Sequence, residues 1–383
     1  MKFRRCMSMI YSSALVLGLS FLFYPQIHKS SDNKDVVTSV TTPTAAVTPA
    51  PTVTVPVASN ITAPVSTKEP AATQEPSGVP EPTVTPVPDS KLPPILTNNS
   101  LTAPLSGVKD LVTSYVNAYY KNDFETVSSL VTDATMLNAT LMESNSKNVT
   151  KIEDLQLYSK PGIDGVFSIV YATYSLYYSD LQLSVPYFSE YYIKRLSDGS
   201  YRIITTPIST KTRQAFLQAR RSEAVVNLSV SSLIRRYHTA CLAANEPLLA
   251  QCVTNSDYLD LEYITSRYSV TEAFTDYDFL LYPGINEFEY IVFVTHNEKI
   301  VFSNTPAPCI EYYYIDLDDS SGAPAIYLGI TSLDTDAYCA AVTQEEEIQA
   351  LAKEVDAKMQ EALVADDDLK EFYQLLLSNS SEN

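Results

Sequence analysis

At 383 residues the chain has room for two domains of ordinary size plus accessory segments. Its net charge is −19, and residues 344–383 carry eleven acids against three bases, so the acidity is concentrated at the C-terminus. No basic patch is left in the body, which argues against nucleic acid and anionic polymers as partners.

The chain opens with Met1-Lys-Phe-Arg-Arg, a basic cap before a mostly apolar run from Cys6 to Tyr24. Nineteen residues at helical rise span about 28 Å, close to the hydrocarbon core of a bilayer. Basic residues on that flank place the N-terminus in the cytoplasm and the rest outside. A cleavable signal wants small residues at −3 and −1, and Phe21-Leu-Phe-Tyr-Pro25-Gln-Ile-His28 offers none. Residues 1–28 therefore read as an uncleaved transmembrane signal anchor, with late cleavage after Ser30 as the alternative. Either way the remainder is extracytoplasmic.

Residues 29–103 are rich in Pro, Thr and Val, with 13 of the 23 prolines between Pro43 and Pro94. Such a segment buries too little apolar surface to offset its ordering entropy, so a disordered spacer is expected. In polyproline-II form about 70 residues reach on the order of 200 Å.

From residue 104 a 122-residue period governs the chain. It pairs Val108 with Val230, Leu111 with Leu233, Tyr115 with Tyr237 and Ala118 with Ala240. Further on it pairs Val131-Thr132 with Val253-Thr254, Ile169-Val170 with Ile291-Val292, Thr173 with Thr295, and Pro186 with Pro308. Register held over that length is the signature of a duplicated domain, giving repeats at 104–208 and, with a linker helix, 209–333.

Val108, Leu111, Tyr115 and Ala118 fall on one side of a helix. A second short helix is expected over Phe124–Val131 and Pro247–Val253, with Asp123 and Asn245 as N-caps and Pro247 in the first turn. Strands follow at Ile152–Tyr158, Val166–Tyr178, Leu183–Leu196 and Tyr201–Thr205, with Pro161-Gly162 and Asp198-Gly199 as turn signals. The second copy repeats them at Phe274–Tyr282, Phe288–Ile300, Pro308–Leu317 and Ala325–Thr331.

Two helices before a long-stranded antiparallel sheet resemble the nuclear-transport-factor-2-like superfamily, above all its tandem extracytoplasmic members on cell surfaces. The resemblance implies an α+β fold of two tandem cone-like domains, each a curved sheet around its first helix. It also implies a third helix between Asp133 and Lys151, with Leu137–Met142 as candidate. In enzymes of that family a single Asp, Glu or His inside the cone acts as general base.

The period runs on into residues 334–383. Ala215 and Ala219 recur as Ala337 and Ala341, the helical face as Ala352, Val355, Met359 and Ala362, and the cap as Asp367. Residues 344–377 read as the two helices of a truncated third repeat without its sheet, or as an unrelated acidic amphipathic helix.

Candidate chemistry is sparse. His296 replaces Tyr174 on the long strand and alternates with Tyr290, Val292 and Val294, so it shares their face. His238 replaces Val116. Tyr174 and His296 are expected at the cone's rim, His296 in a structural hydrogen bond. Glu190-Tyr191-Tyr192 and Glu311-Tyr312-Tyr313 place a carboxylate beside aromatics in both copies, most simply as solvated edge-strand glutamates. Pocket candidates are thus Tyr174, Tyr290, His296, Glu190 and Glu311, with His296 and Glu311 as the general-base candidates.

Asp316, Asp318 and Asp319 suit a turn more simply than a calcium site. Metal-ligand spacing, nucleophile motifs and phosphate loops are missing from the sequence pattern, so neither metal nor cofactor is expected. Cys241, Cys252 and Cys309 replace Tyr119, Leu130 and Tyr187, which favours small core fillers, with a Cys241–Cys252 bridge left open. The motifs favour a membrane-anchored, non-catalytic binding or assembly module of the cell envelope. Its partner would be a protein or wall component, or a second copy paired through the sheet faces. An isomerase- or dehydratase-like enzyme is the alternative.

Overall fold

The computed structural model describes residues 101–160, 167–317, 323–329 and 331–380. The anchor at 1–28, nearly all of the spacer, the Pro161-Gly162 turn and the loop with Asp318 and Asp319 lie outside the described residues. Among the described residues no helix is long and apolar enough to cross a membrane.

The fold is α+β, with two four-stranded antiparallel sheets. The first unit runs α1 (Ser106–Tyr120), α2 (Phe124–Leu130), α3 (Ala139–Ser146), β1 (Val149–Lys160), β2 (Phe167–Tyr178), β3 (Leu183–Arg195) and β4 (Tyr201–Ile203). Helix α4 (Thr210–Arg220) leads to the second unit. That unit consists of α5 (Glu223–Leu242), α6 (Glu246–Ala250), α7 (Leu261–Arg267), β5 (Thr271–Pro283), β6 (Glu289–Ile300), β7 (Ala307–Leu317) and β8 (Pro324–Ile326). Helices α8 (Leu333–Val342), α9 (Glu346–Ala365) and α10 (Asp367–Ser380) follow. The third helix expected in the connection is α3. The last strand is shorter than the seven residues expected from Ala325 to Thr331.

Local chemistry explains the matched starts and stops. Asp123 accepts a hydrogen bond from the Thr126 N–H (3.0 Å) and Asn245 from the Leu248 N–H (3.0 Å), so both cap as expected. Before each cap the long helix closes identically. Asp123 N bonds Ala118 O (2.9 Å) and Asn122 N bonds Tyr119 O (3.1 Å); Asn245 N bonds Ala240 O (3.0 Å) and Ala244 N bonds Cys241 O (3.0 Å). These are Schellman closures, which need a left-handed residue, and Asn122 (φ 56°) and Ala244 (φ 47°) supply it. Thr132 and Thr254 then hand their N–H groups to Ile203 O (2.8 Å) and Ile326 O (2.9 Å), tying each short helix to its last strand.

Each sheet is covered on both faces. Val170 and Ile193 pack against Val108, Leu111, Val112 and Val116 of α1, while Ile169 and Tyr171 take Phe216 of α4. In the second unit Val292 and Val294 face α5, and Ile291 and Phe293 take Tyr338 of α8 and Ile348 of α9. Alternate strand residues thus feed opposite cores.

Strand β4 pairs only with Ile193–Arg195, and β8 only with Ile315–Leu317. The remaining lengths of β3 and β7 have no strand on that side among the described residues. A bare edge invites pairing with another chain, and here the next long helix covers it: α5 lies along β3 and α9 along β7. Val185 of β3 is buried in the same core as Val226 and Val230 of α5.

Candidate functional site

The helix face of the second sheet gathers the chemically capable side chains. Helix α5 is buried nearly all round, and one of its rows, Ile234, His238 and Cys241, points at the sheet. His238 is fully buried. Its Nε2 lies 3.1 Å from Glu311 Oε2 and 2.7 Å from the Tyr313 hydroxyl, and its Nδ1 lies 2.8 Å from the Tyr277 hydroxyl. Tyr313 donates to Glu311 Oε2 at 2.5 Å. His296 stands beside them, its ring centroid 5.1 Å from that of His238. One ligand atom each from His238, His296 and Glu311 lies within 4.8 Å of the others. Phe274 caps the pair, with ring centroids 4.4 Å from His238 and 5.2 Å from His296.

The electrostatics follow from burial and these partners. Burial lowers His296 to about 4, so it is a neutral imidazole at physiological pH. Burial alone would raise the Glu311 carboxyl. The hydrogen bonds from His238 and Tyr313 and the nearby imidazoles outweigh it and hold the carboxyl below its ordinary value. Burial pushes the Tyr313 phenol well up, with Glu311 adding to it.

The structure brings together only two of the pocket residues expected from sequence, His296 and Glu311. The rim position expected for His296 is wrong: it is 2% exposed, and neither ring nitrogen has a hydrogen-bond partner. Tyr174 occupies the equivalent position in the first unit, bonded to Tyr120 (3.1 Å) and Ser189 (2.9 Å) through its hydroxyl. Tyr290 shares the face of His296 but sits six residues along β6, roughly 20 Å away at strand rise.

Glu190 is not the counterpart of Glu311. Glu311 stands opposite Val294, whereas Glu190 stands opposite Tyr171 on the other face of its sheet. The Glu-Tyr-Tyr match has an offset of 121, not 122, and a slip of one residue reverses the face. Glu190 is instead held by Arg220 of α4 (2.6 Å) and by the Tyr192 hydroxyl (3.0 Å). Neither glutamate is solvated, each side chain being 11% exposed. Strand edges do run past them, but helices cover those edges.

His238 is the member of this cluster that sequence reasoning set aside. Its signal was present: it replaces Val116, a position on the buried side of a core helix, and a buried imidazole requires partners. Cys241 and Cys252 are free buried thiols, which settles the open bridge in favour of core filling.

Two cavities flank the second unit's core, and the larger reaches His296 of this cluster. One of about 270 Å³ sits at the junction of β3 with α5, lined among others by Glu190, Arg220, Ser232 and Arg236. A larger groove of about 610 Å³ runs between α9 and the second sheet, with Asp276, Asp278, Glu354 and Glu361 around a single Lys358.

No protein-family model and no curated protein matches the chain. Among solved structures, a chain described as an "Ntf2 like protein involved in plasmid conjugation" aligns at 10% identity and a TM-score of 0.21. The alignment covers 58% of this chain and 95% of that one. A likeness at that score decides neither fold nor function.

Proposed function

We propose that the chain is a non-catalytic binding or assembly module of the cell envelope, built from two tandem nuclear-transport-factor-2-like domains. Residues 1–28 would anchor it in the membrane and 29–103 would carry the domains outward. The anchor and spacer rest on the sequence pattern described above.

One observation carries the non-catalytic reading: the helix-facing side of each sheet is closely covered by buried side chains. In the first unit Val116, Val170 and Ala172 are fully buried under Tyr174, and in the second Val230, Val292 and Val294 are equally buried. Neither base candidate is tuned for proton abstraction near neutral pH, where a general base is most effective. His296 is too weak a base at about 4, and the Glu311 carboxylate is engaged by His238 and Tyr313. The larger of the two cavities described, the acidic groove along α9, suits a cationic segment of a protein or wall component.

The test is made in cells producing the full-length chain. Membrane fractions should retain it, and added protease should reach the two units from outside. A photo-crosslinker at Leu351, which lines the groove, should give a discrete adduct that Asp278→Lys with Glu354→Lys abolishes. A soluble mature form beginning near Ser30 would remove the anchor. An adduct indifferent to the charge reversal would remove the groove.

A further inference from the structure

A buried carboxylate needs a counter-charge, and around Glu311 two kinds are available. A second proton on His238 would serve Glu311 through Nε2 at 3.1 Å. It would do nothing for His296, which is buried with both ring nitrogens unpartnered. Buried polar atoms in folded proteins are nearly always satisfied, so this pair calls for an explanation. A cation among the three side chains would engage one His296 nitrogen while supplying the counter-charge Glu311 needs.

We propose that His238, His296 and Glu311 hold one divalent first-row transition-metal ion inside the second unit, an occupant independent of the docking reading above. The donor set, two imidazole nitrogens and one carboxylate oxygen, is one that zinc and iron(II) sites use. The surrounding groups are arranged as metal sites require. His238 Nδ1 lies 2.8 Å from the Tyr277 hydroxyl, a partner that can hold the ring with Nε2 toward Glu311 when an ion is bound. The Tyr313 hydroxyl bridges the Glu311 carboxylate (2.5 Å) and His238 Nε2 (2.7 Å), and an ion would displace it from one of them. Phe274 and the Val292–Val294 face exclude water.

The three donor atoms lie within 4.8 Å of one another. Ligand atoms of a tetrahedral zinc site stand about 3.3 Å apart, given bonds of about 2.0–2.1 Å. Binding therefore needs a closure of somewhat more than an ångström, within reach of side-chain torsion. The first unit cannot do the same, because Val116, Tyr174 and Ser189 occupy the three corresponding positions. Among the described residues, one such site per chain follows.

The experiment uses the untagged full-length chain, stripped with chelator and re-equilibrated with zinc(II) or cobalt(II). Elemental analysis should find one zinc per chain, and cobalt should give the ligand-field absorption of a nitrogen/oxygen site. His296→Ala and Glu311→Gln should each weaken binding by roughly 100-fold or more. Because either change could disturb the fold, the combined variant His238→Val, His296→Tyr, Glu311→Ser restores the first unit's own packing set. It should fold by circular dichroism and take up no zinc. Zinc should raise the melting temperature of the parent and not that of this variant. A folded parent without stoichiometric metal, or uptake unchanged in the folded triple variant, would overturn the proposal.

Discussion

At the scale of single residues, the two turns that end the long helices show how one atom group sets a local energy. Asn122 and Ala244 both take the left-handed conformation that the Schellman closure demands. Asparagine tolerates it by local hydrogen bonding, but alanine's Cβ crowds the carbonyl at a cost of roughly 1–2 kcal/mol. Glycine removes the clash while adding unfolded-state freedom worth about 0.4–1 kcal/mol. Ala244→Gly should therefore stabilise the second unit by about 0.5–1 kcal/mol in urea unfolding, and a loss of stability would refute the closure. The same scale shows what sequence could reveal of the site. The face shared by Tyr290, Val292, Val294 and His296 was legible, because strand alternation admits no other reading. The identity of the carboxylate's partner was not, because it depends on whether Glu311 aligns with Glu190 or with Ser189. The offset of 122, kept on either side by Thr173/Thr295 and Pro186/Pro308, selects Ser189. The recurring Glu-Tyr-Tyr triplet drew the alignment one residue away and onto the wrong face of the sheet.

At the scale of elements, linkers turn out to be structural. Helix α4 does more than connect the units: Phe216 stacks on Tyr192 at 4.3 Å between ring centroids, and Arg220 reaches Glu190 and the Tyr192 hydroxyl at 2.6 Å each. Burial raises the Glu190 carboxyl, and Arg220 offsets only part of that. Arg220→Ala should cost about 3–5 kcal/mol, since it strands a largely buried carboxylate. Adding Glu190→Leu should recover most of the loss, and no recovery would mean that α4 is held by packing alone. Arg267 and Glu298 make a similar two-pronged bridge at 2.9 Å on both arms, joining α7 to β6. The strands themselves were legible to within a few residues, because alternation and aromatic density mark them. The covering of each sheet's open edge was not. The pattern of β3 and β7 says nothing about which later helix lies beside them, and that depends on how short β4 and β8 turn out to be. At the corner after β5 the need for glycine is steric: a Cβ on Gly284 would stand 2.5 Å from that of Glu289.

At the scale of the whole molecule, the tail completes the second unit as α4 and α5 complete the first. Ile348 is fully buried against Phe293 and Tyr314, and Leu369 and Ala362 join Ile300 and Ala307. The cap of the last helix is Asp366, one residue before the position the period implies. In place of a left-handed residue followed by a cap, the chain has one residue that both ends α9 and starts α10. Its carboxylate accepts from the N–H groups of Leu369 (3.0 Å), Thr305 (2.8 Å) and Asn304 (2.8 Å) and from the Ser303 hydroxyl (2.9 Å). Those bonds, led by the backbone donors, hold it well below the usual carboxylate range. A lowered carboxyl contributes its stability above the unfolded value near ~3.9 and loses it as pH falls toward the folded one. Hydrogen exchange at 303–305 should thus be protected at neutral pH and released in acid. Asp366→Asn should weaken that protection at neutral pH and remove the acid step. Truncation after Thr343 is the larger test. It strips Ile348 and Leu369 from the second sheet, each worth about 1.5–3 kcal/mol of burial, and bares the β7 edge that α9 covers. Exchange protection should fall across 230–331 and hold across 106–176, since the removed helices pack chiefly on β7 and on each other. Terminal repeats commonly serve as caps, and an unchanged exchange pattern in the truncated chain would instead make the tail an arm that contributes nothing to the unit it touches.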